Sequence, residues 1–257
     1  MFIDSHCHLD RLKLESYDGD ISLAIQAAHD AGVSKLLCVA IDLEHIDDVL
    51  GIAKRFQQVY ASVGVHPGSM DCEEPTIERL IELSASDKVV AIGETGLDYY
   101  YGKEHKDIQI ERFKRHLLAS QACRKPVIVH TRDAKEDTLK LIKEYSDPEI
   151  AGVLHCFTED WEMASKAIEH NFYISFSGIV TFKNAAELRE VAKQVPLEKM
   201  LIETDSPYLA PIPYRGKSNE PKYVPEVAKC LAELKGVPIE KIAEQTSQNF
   251  HDLFFAH

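Results

Sequence analysis

Residues 1–10 read MFIDSHCHLD, which puts two histidines, His6 and His8, one residue apart in a short apolar run. On a strand, positions i and i+2 point to the same face. On a helix they would diverge by about 200°. A His-x-His pair at this place therefore carries information only if the stretch is a strand, because both imidazoles then aim at one point, where a single cation could sit. The alternative is a pair of half-buried structural histidines, and the rest of the chain must decide between the two.

Seven further β-branched or apolar runs follow. They are KLLCVAI (35–41), VYASVGVH (59–66), VVAIGETGL (89–97), PVIVHTR (126–132), AGVLHCFT (151–158), FYISFSGI (172–179) and MLIETDS (200–206), and with FIDSHCHL (2–9) they make eight. Stretches with helical periodicity separate them, among them DISLAIQAAHDAG, QIERFKRHLLASQACR and, at the C-terminus, IEKIAEQTSQNFHDLF. Strands alternating with helices imply parallel pairing through right-handed crossovers. Eight such units in 257 residues, starting about 28 residues apart, predict an α/β fold, a single-domain (β/α)8 TIM barrel over residues 1–257. A doubly wound open sheet is the competing architecture, but no Gly-x-Gly-x-x-Gly follows the first run.

In such a barrel, chemistry collects at the C-terminal ends of the strands. His6 and His8 lie there on the first run, His66 on the third, Glu94 on the fourth, His130 on the fifth, His155 on the sixth, and Glu203 and Asp205 on the eighth. One strand-end histidine is commonly structural, and one carboxylate commonly caps the next helix. Gathering them all at one mouth is costly unless the groups are paired or hold a metal. Six candidate ligands, His6, His8, Glu94, His130, His155 and Asp205, are too many for one tetrahedral ion that also keeps a water. Two divalent ions bridged by Glu94 fit better. His6, His8 and Asp205 would hold one, because strands one and eight are neighbours in a closed barrel; His130 and His155 would hold the other. The imidazole–carboxylate mixture suits zinc, manganese, iron or nickel, and suits magnesium less. A metal-activated water is the expected nucleophile, with Asp205 and Glu94 as the catalytic carboxylates and Asp205 as proton acceptor. Glu203 is expected to orient a ligand imidazole. His66 has no place in either set and reads as a substrate contact or a structural residue.

Net charge −13 argues against a broad basic face coating nucleic acid. It leaves local phosphate binding open, and Arg132, Arg215 and Lys217 (the last two in the loop PYRGKSNEP) are the candidate anion contacts. Tyr99, Tyr100 and Tyr101 could present one or two rings for base stacking. The six cysteines contain no C-x-x-C pair and read as reduced thiols of a cytoplasmic protein. No apolar stretch reaches membrane-spanning length, and structure begins within three residues, so neither a membrane segment nor a signal peptide is expected.

The motifs DSHCHLD, GVHP, GETGLDYY, VIVHTRDA, LHCFTE and LIETDSPYLAP followed by YRGKSNEP span residues 3 to 221. Together they resemble the TatD family of metal-dependent deoxyribonucleases, within the amidohydrolase superfamily. The resemblance implies a barrel with a one- or two-metal site at His6, His8, Glu94, His130, His155 and Asp205. It also implies phosphodiester hydrolysis, of the kind that trims single-stranded DNA ends 3′ to 5′ with magnesium. Zinc, manganese and magnesium thus all remain as working ions. Two further functions compete: metal-dependent ester or amide hydrolysis, such as removal of a D-amino acid from tRNA, and a non-catalytic metal-binding scaffold. The last would require a missing ligand or base, and none is missing.

Overall fold

A computed structural model describes residues 1–256. Eight strands lie side by side in chain order, every adjacent pair parallel: β1 (Phe2–Cys7), β2 (Val33–Cys38), β3 (Val59–Val63), β4 (Val89–Asp98), β5 (Val127–Arg132), β6 (Gly152–Leu154), β7 (Tyr173–Phe176) and β8 (Met200–Ile202). A parallel bridge between Cys7 and Ser206 brings the last strand's extension back to the first. The expected (β/α)8 barrel is the observed fold. The helices α1 (Ile21–Asp30), α2 (Ile46–Arg55), α3 (Ile77–Ser84), α4 (Lys106–Cys123), α5 (Lys135–Tyr145), α6 (Trp161–Glu169), α7 (Ala186–Gln194), α8 (Val224–Lys235) and α9 (Ile239–Phe254) surround it. Among the described residues, no helix is long and apolar enough to cross a membrane.

The strands are covered on both faces, which is why they read as near-continuous apolar runs; all ten residues of β4 are buried. The C-terminal α9 closes the barrel floor. Its Phe250, Leu253 and Phe254 share a buried cluster with Ile3, Leu37, Val90, Ile128 and Leu201. Asn249 fixes the helix by donating to the carbonyls of Leu197 and Met200 at the start of β8. With the floor sealed, the opposite mouth is the open end.

Closure between the first and last strands uses a buried side chain as well as backbone. Asp4 accepts from the Thr204 amide at 2.9 Å and the Thr204 hydroxyl at 2.5 Å. The Asp205 amide donates to the His6 carbonyl at 2.9 Å, and the His8 amide to the Ser206 carbonyl at 2.8 Å.

Several strands stop short of the runs read from sequence. β1 ends at Cys7 and β8 at Ile202, so His8, Glu203 and Asp205 lie on the turns just past the strand ends. Asp205 takes the left-handed conformation, with φ 55°. Alternation cannot place side chains beyond the last ladder bond; there the chain bends across the mouth and its own turn geometry aims them.

α4 carries an unusual polar inner face. Gln109, Arg112 and His116 are buried. The Arg112 guanidinium donates to the His66 carbonyl at 2.8 Å, and His116 Nε2 accepts from the Val65 amide at 3.0 Å. The helix thereby fixes the loop that follows β3.

Gly96 is required by a close approach of β4 to β5. Its φ is +135°, and a Cβ there would lie 1.9 Å from the His130 carbonyl oxygen. Gly96→Ala should cost on the order of 3 kcal/mol through strain and overpacking. Gly51→Ala, on α2 with open space around it, should be neutral or stabilising by about 0.5–1 kcal/mol. Urea unfolding midpoints of the two variants check the contrast.

Candidate metal centre

Eight side chains from six strands or their following turns converge at the mouth; six of them, His8, His66, Glu94, His130, His155 and Asp205, line a cavity of about 760 Å³, with His6 and Glu203 buried behind it. Glu94, inside β4, is the hub. Its Oε1 is approached by His155 Nε2 at 2.7 Å, His130 Nδ1 at 3.3 Å and His66 Nε2 at 3.4 Å; its Oε2 lies 3.3 Å from His6 Nε2. One carboxylate thus faces two groups, one oxygen to each, as a bridging carboxylate would. On the second side, Asp205 Oδ1 lies 3.4 Å from His8 Nε2 and 3.8 Å from His6 Nε2. The His6 and His155 rings stack at 3.8 Å between centroids.

Hydrogen bonds behind the rings decide what each inner nitrogen can do. A carbonyl or carboxylate only accepts, so the ring nitrogen facing it must carry the proton. His8 Nδ1 donates to the Val39 carbonyl at 2.9 Å, His155 Nδ1 to Glu203 Oε1 at 3.2 Å, and His130 Nε2 to Asp98 Oδ2 at 3.2 Å. Each of these leaves a lone pair on the nitrogen that faces Glu94 or Asp205, which is the arrangement metal-binding histidines adopt. His6 is fully buried, and neither of its ring nitrogens has a hydrogen-bond partner. A buried, unpartnered imidazole is expensive; a cation between it and Asp205 would remove that cost. The donors therefore fit one or two divalent ions. His6, His8 and Asp205 could hold one, and Glu94 with His130 and His155 the other.

His66 has the opposite polarity. Its Nδ1 accepts from the Gly68 amide at 2.9 Å. Its Nε2 therefore carries the proton and points into the cavity as a donor. Burial, with the neighbouring imidazoles adding to it, pushes His66 down to about 3, so the ring is neutral. Although His66 sits close to Glu94 and His130, its proton suits it to an incoming acceptor rather than to a cation.

Glu203 lies behind His155, whose Nδ1 faces it at 3.2 Å. It is buried, and its Oε1 accepts from His155 and from the Cys156 amide at 2.8 Å. The anion contacts are distributed differently from the expectation. Arg132 lines the cavity, its guanidinium 4.0 Å from the Tyr100 ring centroid and 4.8 Å from that of Tyr101. Arg215 and Lys217 are exposed and lie outside the cavity wall; Arg215 instead sits over the Phe182 ring at 3.7 Å. Tyr99 turns away from the mouth and bonds Asp137 at 2.8 Å, leaving Tyr100 and Tyr101 exposed.

Sequence reasoning missed three residues of the wall. Asp98 ends β4 within GETGLD and holds His130. Arg11, three residues past His8, lines the cavity but is committed to Asp10 at 3.3 Å and Asp42 at 3.2 Å. Tyr208 stands at the rim, its ring 6.1 Å from that of His8. Only Asp98 left a signal, a carboxylate at the end of a strand already known to carry Glu94.

The family model described as TatD related DNase matches residues 3–255. YcfH of Escherichia coli strain K12, described as an uncharacterized metal-dependent hydrolase, is 49% identical over 256 residues, covering 98% of this chain and 95% of that protein. YabD of Bacillus subtilis strain 168, described in the same words, is 42% identical over 255 residues, covering 99% of each. The crystal structure of YjjV, a TatD homolog from Escherichia coli K12, superposes with a TM-score of 0.90 at 29% identity, covering 98% of this chain and 97% of that one. The chain belongs to the TatD-related DNase family.

Without metal, burial alone would lower His8, His130 and His155. The carboxylates beside them outweigh it and hold all three above the ordinary histidine value. Those protons must leave before the nitrogens can bind a cation. Zinc uptake by metal-free protein should therefore release protons and tighten as pH rises from about 6 to 8. Calorimetry in buffers of differing ionisation enthalpy measures this; pH-independent uptake would show that the imidazoles are not the ligands.

Proposed function

We propose that this chain is a metal-dependent hydrolase that cleaves phosphodiester bonds at the ends of single-stranded DNA, removing nucleotides from the 3′ side. The observation that carries the metal reading is His6, buried with both ring nitrogens unpartnered beside Glu94 and Asp205. The names of YcfH and YabD and the family's description support hydrolysis and a nucleic-acid substrate.

A divalent ion, when bound, lowers the pKa of a water and polarises a phosphoryl oxygen. The remaining work falls to the chain's own residues. His6, His8 and Asp205 would hold one ion, and Glu94, His130 and His155 a second. Asp205 is the proton acceptor. Its side chain is 14% exposed, against 3% for Glu94, so it is the carboxylate that reaches the cavity. Burial would raise its pKa, but in the metal-free site the hydrogen bond from His8 and the charges of the imidazoles hold it below the usual carboxylate range, so the group is ionised there.

His66 donates from Nε2 to a non-bridging oxygen. Arg132 supplies the positive charge: among the described residues it has no carboxylate within ion-pair distance, unlike Arg11, so its charge is available to phosphate. Tyr101 and Tyr208 stand exposed on the cavity wall, where bases of an unpaired strand can stack. A recessed site of this kind suits a frayed or single-stranded end, whose bases are free to enter. The buried free thiols Cys7 and Cys38 suit a reducing, cytoplasmic setting.

The test uses metal-stripped protein given zinc, manganese, magnesium or nothing, with single-stranded DNA labelled at either end. Metal-dependent stepwise shortening from the 3′ end is expected. Asp205→Asn should lower kcat by about 10²–10⁴-fold. Arg132→Ala should raise KM about tenfold or more, the worth of a charged hydrogen bond, while Arg215→Ala leaves it unchanged. Protein that holds metal yet cleaves no DNA would shift the reading to the ester or aminoacyl-tRNA substrates.

A further inference from the structure

We propose that Asp98 is a positioning residue that sets the metal-facing nitrogen of His130 and, with its other oxygen, fixes the turn whose tyrosines hold Arg132. The proposal rests on the metal reading above. Asp98 Oδ2 accepts from His130 Nε2 at 3.2 Å. Asp98 Oδ1 accepts from the amides of Tyr100 at 3.0 Å and Tyr101 at 2.9 Å. Those two residues carry the rings that flank the Arg132 guanidinium. One carboxylate therefore joins the cation side of the site to its anion side.

The carboxylate itself is held from behind. The Asp98 amide donates to Gln109 Oε1 at 2.7 Å, and Gln109 Nε2 donates back to the Asp98 carbonyl at 3.1 Å and to the Gly102 carbonyl at 2.9 Å. Gln109 is fully buried on α4. The turn from 98 to 102 is thus clamped on both sides, by a side-chain amide from the helix and by its own first residue.

Three donors face Asp98: one imidazole and two backbone amides. A carboxylate accepts from all three with two oxygens. An asparagine has only one accepting oxygen. If that oxygen serves Tyr100 and Tyr101, its NH2 faces His130 Nε2, which must then accept, and the ring proton moves to Nδ1, the nitrogen that faces Glu94. If the oxygen serves His130, the NH2 meets two amide donors and the turn is released. Asp98→Asn, nearly the same in shape, breaks one half or the other.

The test measures zinc affinity by chelator competition, in the absence of substrate, for the wild type, Asp98→Ala, His130→Ala and the double variant; Asp98→Ala removes both acceptors at once. Asp98→Ala should weaken zinc binding about 10–100-fold, the usual effect of removing such a partner, and should add nothing to the loss already caused by His130→Ala. Unchanged affinity in Asp98→Ala, or an equal further loss in the His130→Ala background, would overturn the proposal, because Asp98 would then not act through His130. A second measurement needs no variant: ring ¹⁵N shifts of His130 in metal-free wild-type protein, taken at a pH high enough to leave the ring neutral, should report a proton on Nε2 and none on Nδ1, and the reverse would overturn it. Wild-type protein that takes up no zinc would sink the metal reading and this proposal together. Normal zinc binding with no DNA cleavage would leave the proposal standing and remove only the nuclease.

Discussion

The site depends on how the barrel closes. The strand that opens the chain carries His6, the turn after it carries His8, and their partner Asp205 comes from the far end of the fold. Two backbone bonds between the β1 end and the 205–206 turn set these residues side by side, with Asp205 in the left-handed conformation and its Oδ1 3.8 Å from His6 Nε2. Asp4 anchors the same seam from below. Burial pushes Asp4 up to about 8, against the bonds from Thr204 and from the His6 amide that favour its charged form. A buried carboxylate at that seam costs stability. Its return is geometric: Thr204 is held on one side of Asp205 while Ser206 is bridged to β1 on the other, so the residue between them has little freedom.

The same logic of holding from behind runs around the ring of imidazoles. His8 is fixed by a backbone carbonyl of the neighbouring segment, His155 by Glu203 past β8, and His130 by Asp98 of β4. Each contact spends the outer nitrogen's proton and so frees the inner one. His66 is the informative exception. A backbone amide, not a carbonyl, faces its Nδ1, which turns an imidazole in the same wall into a donor. The four imidazoles held in this way therefore divide into three electron-pair donors, His8, His130 and His155, and one proton donor, His66. That division separates ion binding from substrate contact within a few ångströms, and no count of histidines would reveal it.

The barrel was legible because parallel strands buried on both faces leave unmistakable apolar runs, and because eight repeats of one period admit few folds. The ligand candidates were legible for a related reason: in this fold, polar residues at the ends of such runs have one place to go. Strand ends were less legible. His8, Glu203 and Asp205 sit past the last ladder bonds, where side-chain direction comes from turn geometry and a positive φ, neither of which leaves an alternating pattern. Arg215 read as a phosphate contact from its loop alone, and nothing local in the sequence indicates that Phe182, more than thirty positions earlier, lies beneath its guanidinium. Nothing in the helical stretch QIERFKRHLLASQACR marks Gln109 and Arg112 as buried. Their burial follows from polar loop backbones beneath α4, which exist only once the barrel is assembled.

On the proposed reading, a chain of net charge −13 draws a phosphodiester into a cavity lined by Glu94, Asp98 and Asp205. Long-range attraction cannot do this, because the molecule's overall field repels the ligand and is screened within about 10 Å at moderate salt. What remains is local. Arg11 is neutralised by Asp10 and Asp42, which leaves Arg132 as the uncommitted cation of the wall, stiffened by two tyrosine rings and carried on the same strand as His130. Metal ions would invert the sign of the cavity's floor. Under that proposal, substrate attraction and metal loading become a single electrostatic event: an unloaded site would repel the phosphate that a loaded one would hold, so the acidic protein would bind an anionic substrate only when also equipped to hydrolyse it.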